Sequence, residues 1–207
     1  MTLNTPQDCL AKARQVVELE SEALQQFSEQ LDGGTLKTVT DMMLNCPGHV
    51  LVAGAGTSRA VAQRFAHLLA CCGTPALPVS AADALHGGAG AVREGDIVFV
   101  ISKGGTSREI NAFVEIAKSR GATIIAQTEK PQSPLAQMSD AVYHVIAPAK
   151  VDPYGMIATG SSLLNALAGD VLCTILLERR GYSKEQFGVT HPEGAVGVKL
   201  EQEKAKK

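Results

Sequence analysis

Two short stretches of the chain place hydroxyls beside glycines where an apolar run stops. Gly54-Ala55-Gly56-Thr57-Ser58 follows the first run, and Ser102-Lys103-Gly104-Gly105-Thr106-Ser107 follows a later one, with Glu109 close behind. Each opens into a helical pattern, so backbone N–H groups and hydroxyls gather where an anion binds well. The glycines let the backbone fold tightly around a ligand, and Lys103 adds a cation. A dinucleotide loop would read GxGxxG with an acid after the next strand; here Arg59 and Ala60 follow the first glycines and "PALPVS" ends without an acid. The competing reading is plain helix capping, with Ser or Thr at the N-cap and Gly for the turn.

Such loops need a scaffold that delivers them to one edge. Short apolar runs read as strands at 50–53, 76–79, 97–101, 124–127 and 142–146. Helical patterns at about 58–72, 106–120 and 134–139 and a turn-rich piece at 83–91 lie between them. The alternation predicts a doubly wound α/β fold, a three-layer α/β/α sandwich on a mainly parallel five-stranded sheet, with its ligand at the carboxyl ends of the strands. Ahead of it, Thr5-Pro6 and Asp8 start an amphipathic helix carrying Leu10, Ala13, Val17, Leu24, Phe27 and Leu31, which Gly33-Gly34 is expected to stop. A second helix is expected at 36–44. A long helix at 161–180 ends at Gly181 and is apolar on more than one face, with Leu163, Leu164, Leu167, Val171, Leu172, Ile175 and Leu176, so part of it is expected to meet another subunit. The tail EQEKAKK is expected to fray. The whole chain, 1–207, reads as one domain: N-terminal helices at 1–45, a sheet core at 49–147 and a C-terminal helix with a histidine-containing tail segment at 159–200.

Composition narrows the function classes. The 207 residues carry a net charge of −2, which offers no electrostatic ground for a nucleic-acid or membrane surface. The acidic N-terminal helices supply no basic recognition helix. The run at 162–177 is interrupted by Asn165, Gly169 and Asp170 and is short for a membrane span. The N-terminus has no apolar signal-peptide core, and the five cysteines lack a zinc-like spacing, so a cytoplasmic chain with buried or idle thiols is expected. His49, His67 and His144 read as ordinary residues that form no metal triad, and Glu20 is unassigned.

The pairing of "GAGTS" with "SKGGTSREI", with Ser161-Ser162 before the long helix, resembles the sugar isomerase (SIS) domain family. "ALHGGAGAV" after the second strand and the ending "FGVTHPEGAVGVKL" are similar to its arabinose-5-phosphate isomerase subgroup, and the likeness spans about 10–200. The resemblance implies a phosphosugar aldose–ketose isomerase working through an enediol without metal or redox cofactor. It assigns the phosphate to Ser102, Gly105, Thr106 and Ser107 with help from Ser58, puts Gly56, Thr57, Ser161 and Ser162 at the substrate, and gives the sugar chemistry to Glu109, His86 and His191. It also implies a homo-oligomer, a tetramer or dimer, whose sites are shared between subunits. A hexulose-phosphate isomerase and a non-catalytic phosphosugar-binding or regulatory protein are the alternatives.

Each proton-handling candidate has a second reading. Glu109 in a first helical turn is equally a macrodipole partner, and His191 before Pro192 is equally a turn residue. His86, in a loop after a strand, suits acid–base work. The subgroup usually carries a lysine at the position of Thr57, a Ser-Gly pair at Gly104-Gly105, a Lys-Glu pair near Lys150-Val151-Asp152 and appended cystathionine-β-synthase modules, none of which this sequence shows. The expectation is that the missing cation has moved to Lys103, on the facing loop; the alternative is a lysine extended into water.

Overall fold

The computed structural model describes residues 4–147, 151 and 154–204. The helices are α1 (Pro6–Gln30), α2 (Gly33–Leu44), α3 (Thr57–Cys71), α4 (Ala81–Ala84), α5 (Arg108–Ser119), α6 (Pro134–Met138), α7 (Thr159–Arg180), α8 (Lys184–Thr190) and α9 (Gly194–Lys204). The strands are β1 (Val50–Gly54), β2 (Ala76–Ser80), β3 (Ile97–Ile101), β4 (Thr123–Thr128) and β5 (Ala141–His144). They pair in parallel in the order β2-β1-β3-β4-β5, the expected doubly wound α/β sheet.

The pleat sorts the core into two layers. Val50, Val52, Ile97, Phe99, Ile101 and Ile125 face α2, α3 and α7. Leu51, Ala53, Val98, Val100, Ile124 and Ala126 face the layer of α4, α5 and α6. β1 and β3 are buried along their whole length, which is why they read as unbroken apolar runs. Phe65 of α3 meets Phe99 edge to face at 5.0 Å. Gly169 lets α7 close onto that ring, since a Cβ there would stand 2.9 Å from it. The amino edge of the sheet is sealed: buried Asp96 accepts the His49 and Arg93 backbone N–H groups, both at 2.9 Å.

Two boundaries differ from expectation for local reasons, and the long helix falls where expected, ending at Gly181. Gly33-Gly34 do not stop α1; they form the first turn of α2, because Asp32 caps it by accepting the Thr35 N–H at 2.6 Å. Residues 201–204 of the tail, expected to fray, are placed in helix as the end of α9, which a contact between Lys184 and Glu203 ties to α8. α7 is longer than the 162–177 run, at 22 residues, enough by length and hydropathy to cross a bilayer. In this fold it is a core helix, with Leu164, Leu172 and Leu176 buried and Asp170 bonded to Arg64 of α3 at 2.6 Å. Leu163 of α7, 40% exposed, and Leu10 and Val17 of α1, 52% and 64% exposed, leave apolar surface uncovered in the single chain.

Candidate active site

The strand order reverses between β1 and β3, and α3 and α5 leave that point toward opposite layers. Their amino ends, each carrying partial positive charge, converge on the crevice at the carboxyl edge. In the first loop Gly54 lets the helix start close to the strand, because a Cβ would stand 2.6 Å from the Ser58 carbonyl oxygen. Gly56, at φ +55, is the N-cap of α3 and supplies no side-chain cap. Among the described residues the Thr57 and Ser58 hydroxyls have no hydrogen-bond partner.

The second loop is built more firmly. Buried Ser102 accepts the Gly105 N–H on Oγ at 3.2 Å. Gly105 sits at φ +64, and a Cβ there would fall 2.1 Å from Ser133 Oγ. Its carbonyl accepts from the Leu135 N–H at 3.2 Å and from Asn111 Nδ2 at 3.4 Å. Ser107 is the N-cap of α5 yet makes no side-chain cap bond, and Thr106 Oγ1 is also without a partner among the described residues. Plain capping therefore does not account for this hydroxyl pair; both groups are left available at a helix amino end. Glu109, half-buried in the first turn of α5, likewise has no hydrogen bond or ion pair among the described residues.

Lys103 is not simply extended into water. Its Nζ lies 3.6 Å from Glu129 Oε1 on the loop after β4, a residue that the sequence reading passed over although it directly follows a strand end. Glu129 Oε1 also accepts the Ala147 N–H at 2.9 Å, and the Glu129 N–H donates to the Lys103 carbonyl at 3.1 Å. Arg59, at the start of α3, has no ion pair among the described residues. With Gln63 and Ser80 it lines a cavity of about 300 Å³ beside β2.

The remaining candidates divide. Ser161 and Ser162 occupy the first turn of α7; the Ser162 hydroxyl donates to the Thr159 carbonyl at 2.9 Å, while the Ser161 hydroxyl has no partner among the described residues. That turn is held over the sheet by Gln127 at the end of β4, which donates to Asn165 Oδ1 at 2.7 Å. His86 is exposed after α4, on the carboxyl side of β2, and its backbone N–H bonds the Asp83 carbonyl. His191 does not join them within one chain. It caps the end of α8, stacked on Phe187 at 3.8 Å, with Nε2 3.4 Å from Cys71 Sγ. Cys71 ends α3 at the opposite edge of the sheet, one helix length of about 20 Å from Thr57. His67 reaches the same sulfur at 3.6 Å, so neither that histidine nor Cys71 is without contacts. Lys150 and Asp152 lie outside the described residues. Among those described, no group of three or more His, Cys, Asp or Glu side chains could hold a metal ion.

Comparison with known proteins gives consistent findings. The SIS domain family matches residues 43–175. The arabinose 5-phosphate isomerase KpsF of Escherichia coli is 34% identical over 191 residues, 92% of this chain, and the chain spans 58% of that relative's length. A crystal structure of a candidate sugar-phosphate isomerase from Listeria monocytogenes superposes with a TM-score of 0.88 at 32% identity, covering 91% of this chain and 99% of that one. A protein of Escherichia coli CFT073 in complex with arabinose 5-phosphate superposes with a TM-score of 0.87 at 26% identity, covering 91% and 100%.

Proposed function

The chain belongs to the SIS domain family, and from that premise we propose that it is a sugar-phosphate aldose–ketose isomerase of the arabinose 5-phosphate isomerase type. The observation that carries the reading is the second loop. Two unpartnered hydroxyls, Thr106 and Ser107, stand at the amino end of α5, with the unpaired carboxylate of Glu109 in its first turn. Backbone N–H groups and hydroxyls there hold the phosphate and fix the sugar's far end. Ser102 keeps the loop folded through Gly105, while Ser58, with Gly56 and Thr57, closes the crevice from the β1 side and Ser161 and Ser162 from α7.

Interconverting ketose and aldose moves one proton between C1 and C2. Glu109 takes the C1 proton of the ketose as the C2 carbonyl oxygen gains one from His86, which gives the enediol. The O1 proton then returns to His86 and Glu109 delivers its proton to C2, leaving the aldehyde at C1 and both side chains as they began. His191 enters this scheme only from another copy of the chain, since within one chain it lies at the far edge of the sheet. The uncovered apolar residues of α1 and α7 favour such an assembly, a dimer or tetramer. The free cysteines fit the reducing cytoplasm.

Proton exchange in heavy water tests the reading across aldose and ketose phosphates of four to six carbons. Deuterium entering at C1 or C2, fastest with arabinose 5-phosphate or ribulose 5-phosphate, is the expected result. Tight binding across the panel with no exchange would overturn it in favour of a non-catalytic phosphosugar-binding protein.

A further inference from the structure

The carboxylate of Glu129 is the least expected charge at the carboxyl edge. Its side chain is only 13% exposed, whereas that of Lys103 is 53% exposed. One oxygen of Glu129 is fixed by the Ala147 N–H at 2.9 Å, and its own backbone N–H is bonded to the Lys103 carbonyl at 3.1 Å. The Thr128 hydroxyl donates to the same Lys103 carbonyl at 3.0 Å, and the Glu129 carbonyl lies 3.0 Å from His144 Nε2. Glu129 thus joins the segments that leave β3, β4 and β5. The lysine is the mobile member of the pair: at 3.6 Å its ammonium is attracted to the carboxylate without a hydrogen bond.

Resting on the phosphate reading of the second loop, we propose that Glu129 is a positioning residue that holds the Lys103 ammonium away from the anion loop until a phosphate competes for it. No bond joins Lys103 Nζ to Thr106 or Ser107 among the described residues, so in the free protein the cation is spent on Glu129. A phosphate dianion in the loop presents twice the charge of the carboxylate and draws the ammonium across. A singly charged ligand does not. Glu129 therefore lowers affinity for all anions and sharpens the preference for a dianionic phosphate over a monoanion.

Calorimetric titration of inorganic phosphate into the full chain, alongside steady-state kinetics with the sugar phosphate, tests the proposal. Glu129→Gln keeps an acceptor for the Ala147 N–H while removing the charge. It should bind phosphate about two- to fivefold more tightly, the scale of a partly exposed ion pair. KM should fall in parallel while kcat changes less, and the gain should vanish when Lys103→Met is added. Glu129→Ala, which also removes the acceptor, should lower the melting temperature where Glu129→Gln does not. Unchanged or weaker phosphate binding by Glu129→Gln, or a gain that survives Lys103→Met, overturns the role of Glu129 while leaving the phosphate loop standing. If the wild-type chain binds neither inorganic phosphate nor a sugar phosphate, the loop assignment and this proposal fall together.

Discussion

The loops after β1 and β3 have similar ingredients but are built differently. In the loop after β3, Ser102 holds the Gly105 N–H, Ser133 fills the space beside Gly105 and Glu129 engages Lys103. In the loop after β1, Gly56 has nothing within 4 Å of where a Cβ would be, and Thr57, Ser58 and Arg59 are without side-chain partners among the described residues. A braced loop presents donors in one arrangement and binds without first having to be ordered; an open one adapts to the part of a ligand that varies. On the proposed function, the braced β3 loop would hold the phosphate and the open β1 side the part of the sugar that varies.

Substitutions at matched positions should separate the two loops. Gly105→Ala combines positive-φ strain with a clash on Ser133 and should cost at least about 2 kcal/mol of stability and nearly all phosphate binding. Urea unfolding and phosphate titration measure both. Glu109→Gln should lower kcat by about 10²- to 10⁴-fold, the range for a general base, while stability falls by no more than about 0.3–1 kcal/mol, the worth of its charge at the amino end of α5, because the carboxylate has no described hydrogen-bond or ion-pair partner to lose. Ser107→Ala should weaken sugar-phosphate binding by about 1.5–3 kcal/mol, the worth of a hydrogen bond to a charged group, and leave unfolding unaltered. Gly56→Ala, placed at φ +55, ψ −129 where an L side chain is strained but free of clash, should cost about 1–3 kcal/mol of stability and barely move inorganic phosphate binding. Equal losses of phosphate affinity from the two glycine substitutions would dissolve the distinction between the loops.

The layers, the parallel strands and both loops were legible in the sequence because each rests on local signals: apolar runs such as 97–101, the stops after them, and hydroxyls beside glycine. The strand order was not, because it depends on which strands pair across the sheet. Boundaries failed where a single side chain overrode composition, as Asp32 did by capping α2 at a Gly-Gly pair that otherwise marks a stop. The partners of Lys103 and Gly105 were not legible. Glu129 and Ser133 lie on a loop with no glycine signature and reach those residues only because β4 pairs beside β3. His191 shows the limit most plainly, for its spacing along the chain says nothing of which edge of the sheet, or which copy, it serves.

Hydrogen–deuterium exchange of the loop peptides offers the most direct test, comparing 54–60 with 102–109 as a sugar phosphate and then inorganic phosphate are added at saturation. Inorganic phosphate should protect 102–109 alone, and the sugar phosphate should protect both segments. Protection of 54–60 by inorganic phosphate with 102–109 unchanged would contradict the account at its centre.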